Sequence, residues 1–68
     1  MEKKNLFEVT GTVRNATKER AYLIVEGLDY VLPVAIENAD TYVGKTIDVV
    51  GTININVDHI NLVATKVA

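Results

Sequence analysis

The sequence contains no cysteine and no tryptophan, and it has only one histidine, one proline and one phenylalanine. Without cysteine, no disulfide can stabilise the fold and a four-cysteine zinc site is excluded. His59 has no second histidine to help bind a metal, so we interpret it as a solvated turn residue and expect no metal or other cofactor. Because a chain of 68 residues buries only about 60 % of its unfolded surface, barrel closure or oligomerisation must provide much of the stability.

Long apolar runs and catalytic motifs are also missing. No segment approaches the roughly 20 apolar residues of a membrane helix, and the amino terminus has no apolar run of signal-peptide length. We therefore expect a soluble cytoplasmic protein with no membrane partner. The motifs G-x-x-x-x-G-K, G-x-G-x-x-G and G-x-S-x-G do not occur, and no two carboxylates are positioned by the sequence for acid and base roles. These absences predict that the protein is not an enzyme.

The overall charge is slightly acidic. Seven Lys and Arg stand against nine Asp and Glu, which gives a net charge of −2. A domain built around phosphate contacts is usually basic, so this balance argues against tight, non-specific binding of nucleic acid. The hydrophobic fraction of 49 % comes from Val, Ile, Leu and Ala rather than from aromatic residues, which favours a core made of strands.

The strongest local pattern is an alternation of apolar and polar residues that follows residues 42–46. One parity consists of Ile47, Val49, Gly51, Ile53, Ile55 and Val57. A period of two predicts a strand with one packed face and one wet face. Gly51 falls on the inward parity, where it predicts a bend or a close approach of another backbone. The spacing of Val9, Gly11 and Val13 predicts a second strand that bends in the same way.

Turn signals divide the rest of the chain into one domain over residues 1–68, with a polar, frayed tail at residues 1–4. The predicted strands cover residues 6–14, 20–26, 30–36, 45–54 and 59–68, with a tight hairpin at 27–29 and a two-turn helix at 37–43. Gly44 ends the helix. Pro33 has no amide hydrogen, so it predicts an edge strand or a position without a ladder hydrogen bond. A parity change at Val67 predicts a bulge near Thr65 and Lys66.

The second predicted strand is ambiguous because four apolar residues follow one another. If Glu26 faces water, Tyr22 and Ile24 lie on the same outer side. The inward set is then Ala21, Leu23 and Val25. Two apolar residues on an outer face indicate that the face is covered or that it binds something.

Several short motifs repeat the arrangement of one known family. They are residues 9–13 (VTGTV), Gly27, Gly44 with Lys45, residues 49–53 (VVGTI) and residues 60–64 (INLVA). With the order β-β-β-α-β-β, they make the chain resemble the OB-fold, an all-β five-stranded Greek-key barrel with one short helix. It is most similar to the tRNA-anticodon-like and single-strand-binding groups. A small SH3-like barrel is the competing architecture, which the position of the helix disfavours.

The resemblance implies where a ligand would bind. In OB-folds the ligand crosses the second and third strands, between the loops that join strands one to two and four to five. Carried onto this chain, the nucleic-acid-binding residues are Arg14, Lys18, Arg20, Tyr22, Ile24, Val31, Asn54, Asn56 and His59, with Pro33 at the centre. One tyrosine for stacking and three cations for phosphates predict weak binding that salt reduces strongly. Tyr30 and Tyr42 are interpreted as edges of the core.

Three functions remain open from the sequence. The first hypothesis is weak binding of single-stranded DNA or RNA. The alternative is a protein-interaction or self-association module without nucleic-acid binding, in which apolar outer residues pair with a partner or a second copy. Those residues are Ile24, Val31, Val50 and Val63. The third and weaker hypothesis is oligosaccharide binding through Asn54, Asn56 and Asn61.

Overall fold

The computed structural model describes residues 5–55 and 57–68. The predicted tail at residues 1–4 and the predicted site residue Asn56 lie outside the described residues. The elements are β1 (Leu6–Ala16), β2 (Arg20–Ile24), β3 (Leu32–Ala35), a 3₁₀ helix (Ala39–Tyr42), β4 (Thr46–Ile55) and β5 (Ile60–Val67). In this part of the chain, no helix is long and apolar enough to cross a membrane.

The five strands close into a barrel in the order β1-β2-β3-β5-β4. The amino-terminal half of β1 pairs with β4 and its carboxy-terminal half with β2, so this one strand forms part of two walls. All pairs are antiparallel except β3 with β5, which are parallel. The predicted five-stranded barrel and its element order are therefore confirmed, and the arrangement is compatible with an OB-like fold.

The helical segment is shorter and tighter than predicted. It is a 3₁₀ helix from Ala39 to Tyr42 rather than two α-helical turns over 37–43. Asn38 before it has φ 55° and Gly44 after it has φ 85°, so left-handed residues at both ends leave room for a single turn. Ala39 is fully buried, and the helix contacts β1 and β2. The segment therefore packs against the core as a short plug.

The alternation predicted for the second strand is confirmed. Ala21 and Leu23 are completely buried, whereas Ile24 is 50 % exposed and Tyr22 is half-buried. The core is formed by Val13, Ala21, Leu23, Val34, Ile36, Ala39, Ile47 and Val49. Because the inward residues fill the barrel, the outward residues of β2 are free to form a surface.

The connection between β2 and β3 is longer than the predicted tight hairpin. β2 ends at Ile24 and β3 begins only at Leu32, because a turn in which Leu28 N–H donates to the carbonyl of Val25 at 3.0 Å ends the pairing early. Tyr30 lies in this loop and is 65 % exposed. It is therefore not the core edge that the sequence predicts, whereas Tyr42 packs against the core.

The β4–β5 hairpin also departs from the predicted parity. Ile55 is 64 % exposed and Val57 is fully exposed, although the alternation places both on the inward side. The register pairs of β1 with β4 end at Leu6 and Thr52, and one further hydrogen bond joins Ile53 N–H to the carbonyl of Asn5 at 2.8 Å. Beyond Ile53, the described residues pair only between β4 and β5, as a two-stranded ribbon. Side chains on the inward side of this part of the hairpin, such as Ile55 and Val57, therefore face solvent rather than the core.

β5 approaches β4 closely at Gly51. A β-carbon built at Gly51 would overlap the carbonyl oxygen of Val63 and lie 2.8 Å from Phe7 Cε1, which confirms the predicted close approach. Val50 pairs with Lys66 but Gly51 pairs with Ala64, so Thr65 is the extra residue of a bulge. The bulge predicted near Thr65 and Lys66 is thereby confirmed, and it turns β5 at the level of Gly51.

We expect Gly51→Ala to lower the free energy of unfolding by about 3 kcal/mol, because the added methyl group has no room beside Val63 and Phe7. Urea unfolding followed by circular dichroism measures the loss. Val50→Ala, on the outer face of the same strand, is the matched control and should cost below about 1 kcal/mol. Equal losses in the two variants would contradict the close approach.

Candidate binding site

A shallow groove crosses the outside of the barrel over β2, β3 and β5. Its first depression, of about 240 Å³, is lined by Arg20, Pro33, Ala35, Asn54, Asn61 and Val63, among others. A second depression shares Arg20 and Ala35 and continues toward the β1–β2 loop, where Thr17, Glu19 and Tyr22 line it. We call these two depressions together the barrel groove.

The strand register explains why these residues meet. Tyr22 pairs with Pro33 across β2 and β3, and Asn61 pairs with Asn54 across β5 and β4. Ala35 pairs with Val63 in the parallel contact of β3 with β5, and Pro33 and Asn61, two residues earlier on each strand, line the same depression. One outward row therefore runs across four strands, from an aromatic ring to two side-chain amides.

The contact between β3 and β5, which we call the β3–β5 seam, is minimal. It consists of one register pair, Ala35 with Val63. On the opposite side of β3, Ile36 N–H donates to the carbonyl of Glu19 at 3.1 Å, so strand alternation directs the backbone of Ala35 and Pro33 toward β5. Pro33 has no N–H to offer there, as the sequence predicts. The seam is therefore unpaired at Pro33, beneath the first depression.

Thr17 organises the loop that leads into the groove. Its hydroxyl oxygen accepts hydrogen bonds from the backbone N–H of Glu19 at 3.2 Å and of Arg20 at 3.1 Å. This local turn starts β2 at Arg20 and fixes the direction in which that residue leaves the loop. The sequence contains the signal, a threonine two and three residues before the groups it binds, but sequence reasoning did not use it.

The three predicted cations are exposed but are not equivalent. Arg20 lines both depressions of the barrel groove. Arg14 is the extra residue of a bulge in β1, because Val13 pairs with Leu23 and Asn15 with Tyr22. Lys18 lies in the β1–β2 loop, where its carbonyl accepts a hydrogen bond from Ala39 N–H at 3.4 Å. Neither Arg14 nor Lys18 lines the groove, but Lys18 lies between the lining residues Thr17 and Glu19, and Arg14 precedes Asn15, the register partner of Tyr22.

The remaining predicted residues divide in the same way. Tyr22 and Asn54 line the groove. Ile24 is exposed and Val31 is half-buried, and neither lines it. His59 is exposed just before β5 begins and also lies outside the lining. The structure thus brings together Arg20, Tyr22 and Asn54 from the predicted set, with Pro33 at the centre.

Asn61 is the main lining residue that the predicted nucleic-acid face omits. It lies directly opposite Asn54, but this pairing depends on the centre of the hairpin, which the sequence does not define. The available signal was their equal distance from the middle of the polar turn around residues 57 and 58. Once the hairpin is placed, the two asparagines must face the same side.

The lining has a definite chemical character. Arg20 provides a fixed positive charge, Tyr22 a half-buried aromatic ring and the two asparagines donors and acceptors. Among residues 5–55 and 57–68, no three His, Asp or Glu side chains are grouped to hold a metal ion. The arrangement can bind an anion, stack a flat ring and read hydrogen-bonding groups.

The strand order β1-β2-β3-β5-β4, with a helical turn between β3 and β4, is compatible with an OB-like barrel. Comparison with protein-family models, with curated proteins and with solved structures found no match.

Proposed function

We propose that the protein is an OB-fold module that binds single-stranded nucleic acid across the barrel groove. The observation that supports this most is the lining itself, in which a cation, an aromatic ring and two amides share one outward surface. OB-folds bind oligonucleotides on the face of the second and third strands. Single-strand binding combines a positive groove for the backbone with aromatic rings on which bases stack.

In this proposal Arg20 contacts a phosphate and Tyr22 stacks on a base. Tyr22 is half-buried between Asn15 and Pro33, its register partners, so its ring has little freedom to lose when a base packs against it. Arg14 and Lys18 continue the positive path. With one ring and three cations against a net charge of −2, binding is weak and depends on salt.

The lining favours binding over catalysis. Among the described residues that line it, Glu19 is the one carboxylate and none is a histidine. A nucleophile paired with a base, or an acid paired with a base, is what hydrolysis of a phosphodiester or glycoside requires. We therefore propose a binding protein and not an enzyme.

We expect labelled oligonucleotides of about eight nucleotides to lose about 20-fold in affinity when salt rises from about 50 to about 200 mM. The reason is that three phosphate contacts give a salt slope of about −2 on single strands. Arg20→Glu should remove measurable binding at the higher salt. Fluorescence anisotropy measures both effects.

Lys66→Glu is the matched control for Arg20→Glu. It makes the same change of charge on an exposed strand residue that lines a different depression. Binding reduced equally by both variants would mean that only net charge matters, and the barrel groove would lose its support as the site.

The stacking role of Tyr22 gives a separate expectation. Tyr22→Ala should weaken binding by at least about fivefold, because a stacked base contributes about 1 to 3 kcal/mol. Tyr22→Phe should bind as the original protein does, since it retains the ring. The control is Tyr30→Ala, at an exposed loop tyrosine outside the groove lining. If Tyr30→Ala weakens binding more than Tyr22→Ala, the face is assigned wrongly.

A second candidate function is protein interaction or self-association, and the β4–β5 hairpin favours it. Ile55, Val57 and Ile60 are 64 %, 101 % and 65 % exposed, more than any of the four apolar residues that the sequence suggests for this role. Ile24 and Val50 of that set are exposed, whereas Val31 and Val63 are half-buried. A dimer in sedimentation, with no oligonucleotide binding at low salt, would favour this function over the first.

A further inference from the structure

We infer that the unpaired part of the β3–β5 seam is a pocket for one unpaired base, whose edge is read by Asn54, Asn61 and the free backbone of the seam. This inference rests on the proposed function and deepens it. It assigns base preference to one position along the strand, whereas phosphate contacts and stacking on Tyr22 tolerate every base.

The first support is the backbone of the seam. At the level of Pro33 the pairing of β3 with β5 has already ended, and Pro33 and Leu62 both line the first depression. Neither the Pro33 carbonyl nor the Leu62 N–H takes part in a loop or side-chain hydrogen bond with another described residue. Both groups also lie beyond the one register pair described between β3 and β5. Because backbone groups at strand positions are strong donors and acceptors, the proposal assigns these two to the ligand.

The second support is the asparagine pair. Asn54 and Asn61 are direct cross-strand partners, which places their Cβ atoms roughly 5 Å apart on the same face. Each amide carries one acceptor oxygen and two donor hydrogens. Neither side chain hydrogen bonds to another described residue. Two adjacent free amides match the edge of a base, which presents donors and acceptors side by side.

The third support is the size and wall chemistry of the depression. Its volume of about 240 Å³ is below the range of about 300 to 1,000 Å³ typical of drug-sized ligands, which suits one ring system rather than two. Pro33 and Val63 offer apolar surface to the face of a ring, while the polar groups lie at its edges. Arg20 lies where the pocket meets the second depression, beside a phosphate that would join two bound nucleotides.

The register also places the two base sites next to each other. Tyr22 and Pro33 are cross-strand partners, and neighbouring strands lie about 4.8 Å apart. A base stacked on Tyr22 and a base in the seam pocket are therefore close enough to belong to successive nucleotides of one strand. The base on Tyr22 is bound whatever its identity, whereas the hydrogen-bonding edge of the base in the seam pocket is recognised.

The test compares labelled oligomers of about eight nucleotides, dA, dC and dT homopolymers, by fluorescence anisotropy at low salt. We expect the tightest and weakest oligomers to differ by at least about tenfold, which one good edge contact can give. In Asn61→Leu and Asn54→Leu the difference should fall to within about twofold, because leucine keeps the volume but removes the hydrogen bonds. Asn5→Leu, exposed and outside the lining, should keep the full difference.

The outcomes separate this inference from the function on which it rests. Equal affinity for all three oligomers, or a difference that survives both Asn54→Leu and Asn61→Leu, would overturn the base pocket and leave single-strand binding intact. No binding of any oligomer at low salt would overturn the proposed function itself. Urea unfolding of each variant shows whether the fold is retained, so a lost preference can be assigned to the pocket.

Discussion

The contact between Gly51 and the main chain of Val63 is the constraint on which the barrel depends. β5 approaches β4 so closely at this point that a single methyl group would overlap the Val63 carbonyl oxygen. The bulge at Thr65 turns the strand at the same level. Together these features carry β5 across the barrel until Val63 reaches Ala35 on β3. A side chain at Gly51 would push β5 away from β4 at this level, and the closed barrel would lose stability.

The same geometry produces the groove. β5 meets β3 at one register pair only, and Pro33 has no N–H with which to form a second. The barrel wall therefore closes between β3 and β5, but the two strands are not paired at the level of Pro33. The groove over this seam is therefore a consequence of how the small barrel closes, and it exists before any ligand arrives. Because the groove lies on paired strands, the backbone positions of Arg20, Tyr22, Asn54 and Asn61 are set by the barrel itself.

Much of this architecture could be predicted from the sequence because it rests on local patterns. Alternation placed Leu23 inside and Ile24 outside, and a glycine on an inward position indicated the close approach at Gly51. What escaped prediction depends on tertiary context. The bulge at Arg14 has no composition signal, the pairing of Asn54 with Asn61 requires the hairpin centre, and the exposure of Ile55 reflects where β1 stops covering β4. Periodicity shows which residues lie on the same face of a strand, but not whether another strand packs against that face.

We propose that the barrel groove is the surface that meets the ligand. The most direct measurement is a titration of ¹⁵N-labelled protein with a thymidine oligomer of about eight nucleotides, followed by amide chemical shifts at low salt. We expect the largest changes at Arg20, Tyr22, Asn61 and Leu62. Changes confined to the hairpin residues Ile55 and Ile60, with the groove amides unmoved while the oligomer binds, would contradict it.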